Sequence, residues 1–346
     1  MKKIYTQESL KLLQELTEKR NGINVTVGML KQGRMVFDAW NSNFESIAHT
    51  LAYDIGSITK LFTASLLAKN ISEKKICMNT GLNEYIDDLP ERFYPSIKQL
   101  ATHSSGYPTE IPFTKFQMLK LMTTMNKKDG FLHTNPYHGT LNEAKMLEIL
   151  RDETVPAKEH KFAYNNFAFG VLGYILGQKT NQTAYEAIDD FAKNELNLTE
   201  TNSGIAVEML GFDRKQQPVK SWEWDKNDII SAAGSLVSTA GDLLRFGHAH
   251  LVNSPSYLSL CHNKYTNGNK EWDMGLGWRI DKNQKNIHWH DGNAGGFSCI
   301  LILDMESNLA ITVLTNYGLL HLDELGRSLL KDCRQLTLDE NESYSV

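Results

Sequence analysis

The chain has 346 residues, of which 41% are hydrophobic, and its formal net charge is -5. This composition is ordinary for a soluble globular protein with a large core, and it gives no reason to expect nucleic acid or an anionic membrane as a partner. No apolar run approaches the roughly 20 residues of a membrane span, and polar residues follow Lys2 and Lys3. We therefore expect no membrane span, no export signal and a cytoplasmic location.

The chain opens with an amphipathic helix followed by a hairpin. Leucines at helical spacing between residues 9 and 19 predict the helix, and the Lys-Arg-Asn-Gly sequence after them supplies a stop. Residues 23–30 and 35–40 alternate as strands do, and the glycine-containing turn between them predicts a hairpin. From there to about residue 251 the apolar spacing is mainly helical, and helices are expected at 57–69, 146–151, 165–178, 184–196 and 240–251.

The first candidate catalytic residue lies where a glycine opens one of these helices. Ser57 follows Gly56, and Lys60 lies one helical turn further on. A lysine amine at that spacing can accept the hydroxyl proton, while the amides at the start of the helix stabilise developing negative charge. The same pattern occurs at Ser72 and Ser328, and a serine in this place can simply cap the helix. The motif alone leaves both interpretations open.

The segment from Phe113 to Lys161 separates this helix from the next candidate motif. It combines a methionine-rich predicted helix with a polar loop that contains His133 and His138. We interpret it as a solvated insertion in preference to a lid that selects the substrate.

Tyr164 and Asn166 stand at the start of a glycine-rich apolar helix. Tyr164 could act as a base, because a nearby Lys60 ammonium and the helix-end amides would lower its pKa from the ordinary value of about 10. Asn166 could hydrogen-bond both Lys60 and a substrate carbonyl. The alternative is that both residues only cap the helix, and a Tyr-x-Asn pattern at Tyr265 shows that chance produces it too.

Consecutive strands are predicted toward the other end of the chain, at 275–280, 286–290, 297–303 and 309–315, followed by a closing helix at 322–333. Strands at both ends with helices between them predict an α+β fold, in which one antiparallel sheet is flanked by the terminal helices and accompanied by a mostly helical lobe. The predicted domains are 1–56 with 270–346, and 57–269. We expect the active site at their interface.

One of these strands runs into a glycine-dense stretch, which lets a substrate approach the backbone. It carries His290, Asp291, Gly292 and Asn293. His288 points to the same strand face as His290, so a metallohydrolase built on this pair is an alternative. No third ligand at a suitable spacing is evident, and the four dispersed cysteines predict free thiols. The sequence therefore predicts no metal and no other cofactor.

Together, the order and context of these motifs resemble the serine β-lactamase and penicillin-binding-protein superfamily. The resemblance is to the class C β-lactamase, D-Ala-D-Ala carboxypeptidase and esterase branch, in which Ser-x-x-Lys is followed by Tyr-x-Asn. It covers roughly residues 20–320. The further segments that carry it are 100–108, 232–243, 275–278 and 292–316.

The resemblance implies a role for each candidate residue. Ser57 is the acylated nucleophile, and Lys60 and Tyr164 share the general-base and general-acid work. Asn166 orients the substrate. The backbone amides of Ser57 and Asn293 form the oxyanion hole, an arrangement worth several kcal/mol to the transition state.

The sequence departs from the family at a position that bears on the substrate. His290, Asp291 and Gly292 replace the Lys-Thr-Gly motif, so the cation and hydroxyl that commonly engage a substrate carboxylate are absent. If Asp291 faces the cleft, it repels such a carboxylate by about 1 kcal/mol or more at contact distance. We therefore expect a neutral or amine-bearing substrate and weak β-lactamase activity at most.

The sequence as a whole predicts a serine hydrolase that acts on an amide or ester. D-amino-acid peptides and small carboxylic esters are the expected substrates, so the partner is a small molecule or a peptide. The main alternative is a catalytically weak relative that serves as a binding or sensing module. The presence of Ser57, Lys60, Tyr164 and Asn166 together argues against that alternative.

Overall fold

The computed structural model describes residues 5–108, 133–205, 207–337 and 343–346. Its α-helices in these ranges are α1 Gln7–Thr17, α2 Thr59–Ser72, α3 Ile97–Ala101, α4 Glu143–Asp152, α5 Asn166–Gln178, α6 Ala184–Asp190, α7 Ala240–Leu251 and α8 Asp323–Gln335. Its strands are β1 Asn24–Lys31, β2 Arg34–Asn41, β3 Ala52–Asp54, β4 Asn202–Ser203, β5 Gly211–Phe212, β6 Pro218–Val219, β7 Leu236–Thr239, β8 Thr266–Asn267, β9 Trp272–Met274, β10 Arg279–Asp281, β11 Ile287–Ala294, β12 Phe297–Asp304, β13 Leu309–Thr315 and β14 Tyr344–Ser345.

One large antiparallel sheet joins the two ends of the chain. Its strand order is β14-β2-β1-β13-β12-β11-β10-β9-β8, and Val27 of β1 lies opposite Val313 of β13. The predicted α+β fold is therefore confirmed. The division into domains at residues 56 and 270 stays a prediction, although β8 joins the sheet from outside the predicted boundary.

Helices cover both faces of this sheet. On one face, Leu13 of α1 and Leu329 of α8 are fully buried in a core shared with β1, β12 and β13. On the other face α7 packs so closely that a Cβ at Gly28 would lie 3.0 Å from a methyl carbon of Leu244. A glycine in β1 is needed for that approach, because any larger side chain would push the helix away.

The remaining helices pack around α2 and α5, which are buried on nearly all sides. Asn165 caps α5 by accepting a hydrogen bond from the Ala168 amide. Gly173 lets α5 approach the 229–233 turn, since a Cβ there would lie only 2.2 Å from the Ala232 methyl. The same turn is tied to α2, because the Thr63 hydroxyl donates a 2.7 Å hydrogen bond to the Ala232 carbonyl.

Two predicted elements differ in detail from the pattern. The strand expected at 275–280 forms only at Arg279–Asp281, and the helix expected at 184–196 continues beyond Asp190 as a π-helical turn. The helix at 240–251 matches its prediction. Among the described residues, no helix has both the length and the apolar character needed to cross a membrane.

Candidate active site

Ser57 lies in a single 3-10 turn, Gly56–Ile58, that leads from β3 into α2. Gly56 has a φ of +47°, and a Cβ there would lie 2.5 Å from the backbone oxygen of Asn293. Only glycine tolerates both conditions, so it permits the close contact between this turn and β11. This turn continues directly into α2, and the hydrogen-bond partners of Ser57 Oγ are the Tyr164 and Lys60 side chains, so the interpretation of Ser57 as a helix cap is wrong.

The Ser57 hydroxyl contacts the other two predicted catalytic side chains. The Tyr164 hydroxyl donates a 2.7 Å hydrogen bond to Ser57 Oγ, and Lys60 Nζ lies 3.0 Å from the same atom. Lys60 Nζ also donates to the Ala233 carbonyl at 2.7 Å, and its side chain is fully buried. The three residues that the sequence placed far apart therefore form one hydrogen-bonded group.

Burial sets the protonation of this group. It lowers the pKa of Lys60 well below the ordinary value, and the positive charge of Arg279 lowers that pKa further. Burial also raises the pKa of Tyr164, which outweighs the opposing effects of Ser57 and Arg279. The expectation of a lowered tyrosine pKa is wrong, because desolvation of a phenolate costs more than the nearby charges recover. Burial therefore favours the neutral amine of Lys60 and the neutral phenol of Tyr164.

Strand β11 presents an open edge beside this group. Its pairing with β10 ends at Trp289, so 290–294 have no strand partner on that side in the described chain. His290 Nδ1 donates to the Asp291 carbonyl at 2.6 Å, and this tautomer leaves Nε2 as an acceptor. That Nε2 is buried and has no hydrogen-bond partner among the described residues. Burial lowers the pKa of His290, so a neutral ring stands where the family has a lysine.

Asp291 is paired with a residue that the sequence analysis missed. Its carboxylate forms an ion pair with Arg279 of β10, whose guanidinium also lies 4.5 Å from the ring centroid of Trp289. The repulsion expected from Asp291 is therefore weakened, because the Arg279 cation offsets its charge. The segment 275–278 had carried part of the resemblance, and Arg279 follows it directly. Sequence spacing alone could not show that it reaches Asp291.

Asn166 faces a cavity rather than Lys60. Its Nδ2 donates to the Tyr137 hydroxyl at 3.1 Å, while the hydrogen-bond partners of Lys60 Nζ are Ser57 and Ala233, so the expected bond between Asn166 and Lys60 is not formed. The cavity has a volume of about 190 Å³. It is lined by Ser57, Pro136, Tyr137, Asn166, Trp222, Trp224, Ile230, Ala233, Gly234, Asn293, Ala294, Gly295 and Leu319.

Part of the segment predicted as a solvated insertion borders this cavity. Pro136 and Tyr137 line it, and Asn135 is buried and donates to the Glu223 carbonyl at 2.8 Å. For these residues the prediction of a solvated insertion is wrong. The predicted methionine-rich helix at 113–132 lies outside the described residues.

The histidines considered for a metal site belong to different networks. His288 Nδ1 lies 2.7 Å from His262 Nδ1, and His262 Nε2 lies 2.9 Å from His250 Nδ1. His290 is not part of this chain, since its partner is the Asp291 carbonyl. Within the part of the chain that the structure describes, no three His, Cys, Asp or Glu side chains are placed to hold a metal ion. The structure thus gives the metallohydrolase alternative no ligand set.

A serine held by a buried lysine and a tyrosine, at the junction of this sheet with its helices, defines the serine β-lactamase and penicillin-binding-protein superfamily. The family described as Beta-lactamase matches residues 11–329. The chain therefore belongs to the beta-lactamase family, and this membership supports serine-hydrolase chemistry in general.

Relatives by sequence are distant. Protein flp of Staphylococcus aureus (strain N315) is 24% identical over 285 residues, covering 77% of this chain and 53% of that protein. The probable fimbrial assembly protein FimD of Dichelobacter nodosus is 22% identical over 279 residues, covering 72% of this chain and 66% of that protein. The chain spans about half the length of the first of these curated relatives.

Similar solved structures cover nearly the whole chain. The β-lactamase/D-alanine carboxypeptidase from Pseudomonas syringae has a TM-score of 0.76 at 15% identity, covering 96% of this chain and 99% of that one. The octameric penicillin-binding protein homologue from Pyrococcus abyssi has a TM-score of 0.73 at 18% identity, covering 93% and 76%. At such identities the likeness is one of fold.

Proposed function

We propose that this protein hydrolyses an amide or ester through an acyl-enzyme at Ser57. The observation that carries the proposal is the hydrogen-bonded group in which Ser57 Oγ lies 2.7 Å from the Tyr164 hydroxyl and 3.0 Å from Lys60 Nζ. A nucleophile within hydrogen-bond reach of a base, with the base itself oriented by the Ala233 carbonyl, is the arrangement that acyl transfer requires.

In the acylation step, the neutral Lys60 amine takes the hydroxyl proton of Ser57 as Oγ bonds to the substrate carbonyl carbon. The negative charge that develops on the carbonyl oxygen faces the backbone amides of Ser57 and Asn293. When the bond to the leaving group breaks, Tyr164 donates its proton to the departing atom and regains one from the Lys60 ammonium. The net transfer is one proton from Ser57 to the leaving group.

In the deacylation step, water replaces the leaving group. Its oxygen bonds to the acyl carbon as Lys60 takes a proton, and the bond from the acyl carbon to Ser57 Oγ breaks. Tyr164 donates a proton to the departing Ser57 Oγ and regains one from the Lys60 ammonium, so the enzyme returns to its starting state and the product is a carboxylic acid. A raised pKa of Tyr164 suits these steps, because a neutral phenol can donate.

The proposed substrates are D-amino-acid peptides and small carboxylic esters, with Asn166 orienting the substrate. Likeness to a structure described as a β-lactamase/D-alanine carboxypeptidase supports an amide substrate. The neutral His290 in place of a lysine supports weak β-lactamase activity at most, because a cation that would engage the penicillin carboxylate is absent from that position.

Intact-protein mass spectrometry tests the proposal directly. The protein is incubated with a fluorophosphonate, a panel of p-nitrophenyl esters, D-alanine amides and nitrocefin, and each mass increase is mapped by peptide digestion. We expect one adduct per chain, on Ser57, and release of p-nitrophenol. Ser57→Ala abolishes both, whereas Ser72→Ala, at the exposed residue that also fits Ser-x-x-Lys, retains both.

Two results would contradict the proposal. One is the absence of any adduct on Ser57 with every reagent, which favours the binding or sensing module. The other is nitrocefin turnover that equals the best ester turnover, which rejects the assignment of weak β-lactamase activity.

A further inference from the structure

His103 occupies a backbone position that usually belongs to glycine. It follows α3, and its φ of +54° lies in the left-handed region. Its amide donates to the Leu100 carbonyl at 3.4 Å, and the Ser104 amide donates to the Gln99 carbonyl at 2.9 Å, which are the two bonds of a Schellman helix end. A residue other than glycine is strained there, and such strain persists where the surrounding contacts hold the residue in place.

The contacts of His103 hold the chain on both sides of Tyr164. Its carbonyl accepts a 2.8 Å hydrogen bond from the Ala163 amide, and its Nδ1 accepts a 3.0 Å hydrogen bond from the Asn165 amide. Ala163 and Asn165 are the residues directly before and after Tyr164. Two hydrogen bonds to one residue therefore fix the backbone from which the tyrosine ring extends.

The imidazole of His103 also packs against the Tyr164 ring. The two ring centroids are 4.4 Å apart, and the rings of Phe162 and Phe169 lie 5.6 and 4.9 Å from the imidazole. His103 is fully enclosed by these contacts, so its ring has little freedom to turn. The Tyr164 ring is thus supported by a fixed neighbour, while its hydroxyl donates to Ser57 Oγ.

These hydrogen bonds require a neutral imidazole. Because Nδ1 accepts from the Asn165 amide, the ring carries its proton on Nε2. Burial lowers the pKa of His103 well below the ordinary value, and the positive charges of Lys60, His290 and Arg279 lower that pKa further. A second proton, on Nδ1, would face an amide that is also a donor. The folded protein therefore keeps the form of His103 that holds Asn165.

We propose that His103 is a positioning residue for the proton donor of the reaction, since its carbonyl, Nδ1 and ring together hold the Tyr164 hydroxyl against Ser57 Oγ. The proposal rests on the proposed function, in which Tyr164 protonates the leaving group. His103 acts through the tyrosine, because the hydrogen-bond partners of Ser57 Oγ among the described residues are Tyr164 and Lys60. A displacement of about 1 Å in a catalytic group can lower a rate about 10²-fold.

Two substitutions separate the acceptor of His103 from its ring. His103→Asn keeps an acceptor close to the position of Nδ1 and suits the left-handed backbone, whereas His103→Phe keeps a ring but no acceptor. We expect His103→Phe to lower kcat/KM for phenyl acetate about 10²-fold. His103→Asn should stay within about tenfold of the wild type, because it restores the hydrogen bond from Asn165.

The loss should depend on the leaving group and on the tyrosine hydroxyl. Phenyl acetate needs a proton on its leaving oxygen more than p-nitrophenyl acetate does, so the ratio of their kcat/KM values should fall about tenfold in His103→Phe. In Tyr164→Phe, which lacks the hydroxyl, adding His103→Phe should lower kcat/KM by less than about threefold more. A merely structural role would slow both esters equally and would add in full to Tyr164→Phe.

The matched control is Thr102→Val, at the same helix end. It removes a hydroxyl that donates to the Lys98 carbonyl at 2.8 Å, and it leaves the bonds from Ala163 and Asn165 in place. We expect this variant to be less stable but to keep the wild-type ratio of the two esters.

Nitrogen-15 NMR of histidine-labelled protein gives a readout without turnover. The signal of His103 is assigned by its loss in His103→Asn. We expect an uncharged ring with its proton on Nε2 throughout the range from pH 7.5 to 5. A charged ring at pH 7, or one protonated on Nδ1, would overturn the proposal, because that ring could not accept from Asn165.

Failure of this proposal can be told apart from failure of the proposed function. If esters acylate Ser57 but His103→Phe slows both esters equally, or its loss adds in full to that of Tyr164→Phe, the positioning role is rejected and the proposed function stands. If His103→Phe does not fold, His103→Gly, which suits the positive φ, replaces it in the same comparisons. If Ser57 reacts with no ester, the proposed function is rejected, and the positioning of its proton donor is rejected with it.

Discussion

Arg279 and Asp291 form an ion pair where β11 loses its partner strand, and the two charges act on Lys60 in opposite directions. Arg279 lowers the pKa of Lys60, and Asp291 raises it, while burial lowers it more than either. The pair thus sits beside the catalytic group without contacting Ser57. Substituting one member of the pair at a time separates their two effects on the pKa of Lys60.

We predict that Arg279→Met moves the midpoint of the pH–kcat/KM profile upward and that Asp291→Asn moves it downward, with the double variant between them. The same Arg279→Met change should cost about 1 kcal/mol in the free energy of unfolding, because the Asp291 side chain is 40% exposed and water screens the pair. Ester kinetics and urea titration measure the two effects. Identical profiles for both single variants would exclude an influence of the pair on Lys60.

Lys60→Arg should lower kcat/KM for esters by about 10² to 10⁴, the usual contribution of a general base. The arginine keeps the positive charge but stays protonated, so it cannot accept the Ser57 proton. In the wild type, kcat/KM should rise with pH through a midpoint well below the ordinary lysine pKa, because burial lowers the pKa of Lys60. Wild-type-like activity in Lys60→Arg would show that another group is the base.

Tyr164→Phe should reduce turnover by about 10² to 10⁴ while leaving the fold intact, since only the hydroxyl that donates to Ser57 is removed. Tyr174→Phe is the matched control, because its hydroxyl donates to Glu143 on the outer side of α5. The loss should be smaller for esters with good leaving groups than for amides, which need the proton more. Equal losses for both substrate types would contradict a role as proton donor.

A chain of three hydrogen-bonded histidines, of which His250 and His288 are buried, predicts a loss of stability in acid. Because the Lys285 carbonyl accepts from His288 Nε2, His288 Nδ1 must accept from His262, whose Nε2 then accepts from His250. A proton added to His262 makes both of its nitrogens donors, and His250 already donates to one of them. The folded protein therefore favours the uncharged chain, and burial lowers the pKa of His250 to about 3 and that of His288 to about 4.

These pKa values lie below the unfolded value of about 6.5, so the unfolded state binds more protons as the pH falls. The contribution of these histidines to the free energy of unfolding should be fully present above about pH 6.5. It should decline toward pH 4, by up to about 1.4 kcal/mol per pH unit for each such histidine. His288→Gln should reduce this slope by about that amount, measured by urea unfolding between pH 7.5 and 5. His321→Gln, at an exposed histidine, is the control. An unchanged slope in His288→Gln would reject the interpretation.

Local patterns of the sequence predicted much of this protein. Apolar periodicity located the helix Ala240–Leu251 and the strand Leu309–Thr315, since a face that must be buried repeats with the period of its element. The resemblance selected Ser57, Lys60, Tyr164 and His290 as neighbours, and the structure brings them together around the start of α2.

Only the tertiary structure decided how these residues are charged and what surrounds them. Whether the pKa of Tyr164 is raised or lowered depends on how completely the ring is buried, and burial depends on every element packed around it. Arg279 reaches Asp291 through the pairing of β10 with β11, and Tyr137 reaches Trp224 across separate loops. Sequence determines residue types and local periods, whereas desolvation and contacts between distant segments arise only once the chain has folded.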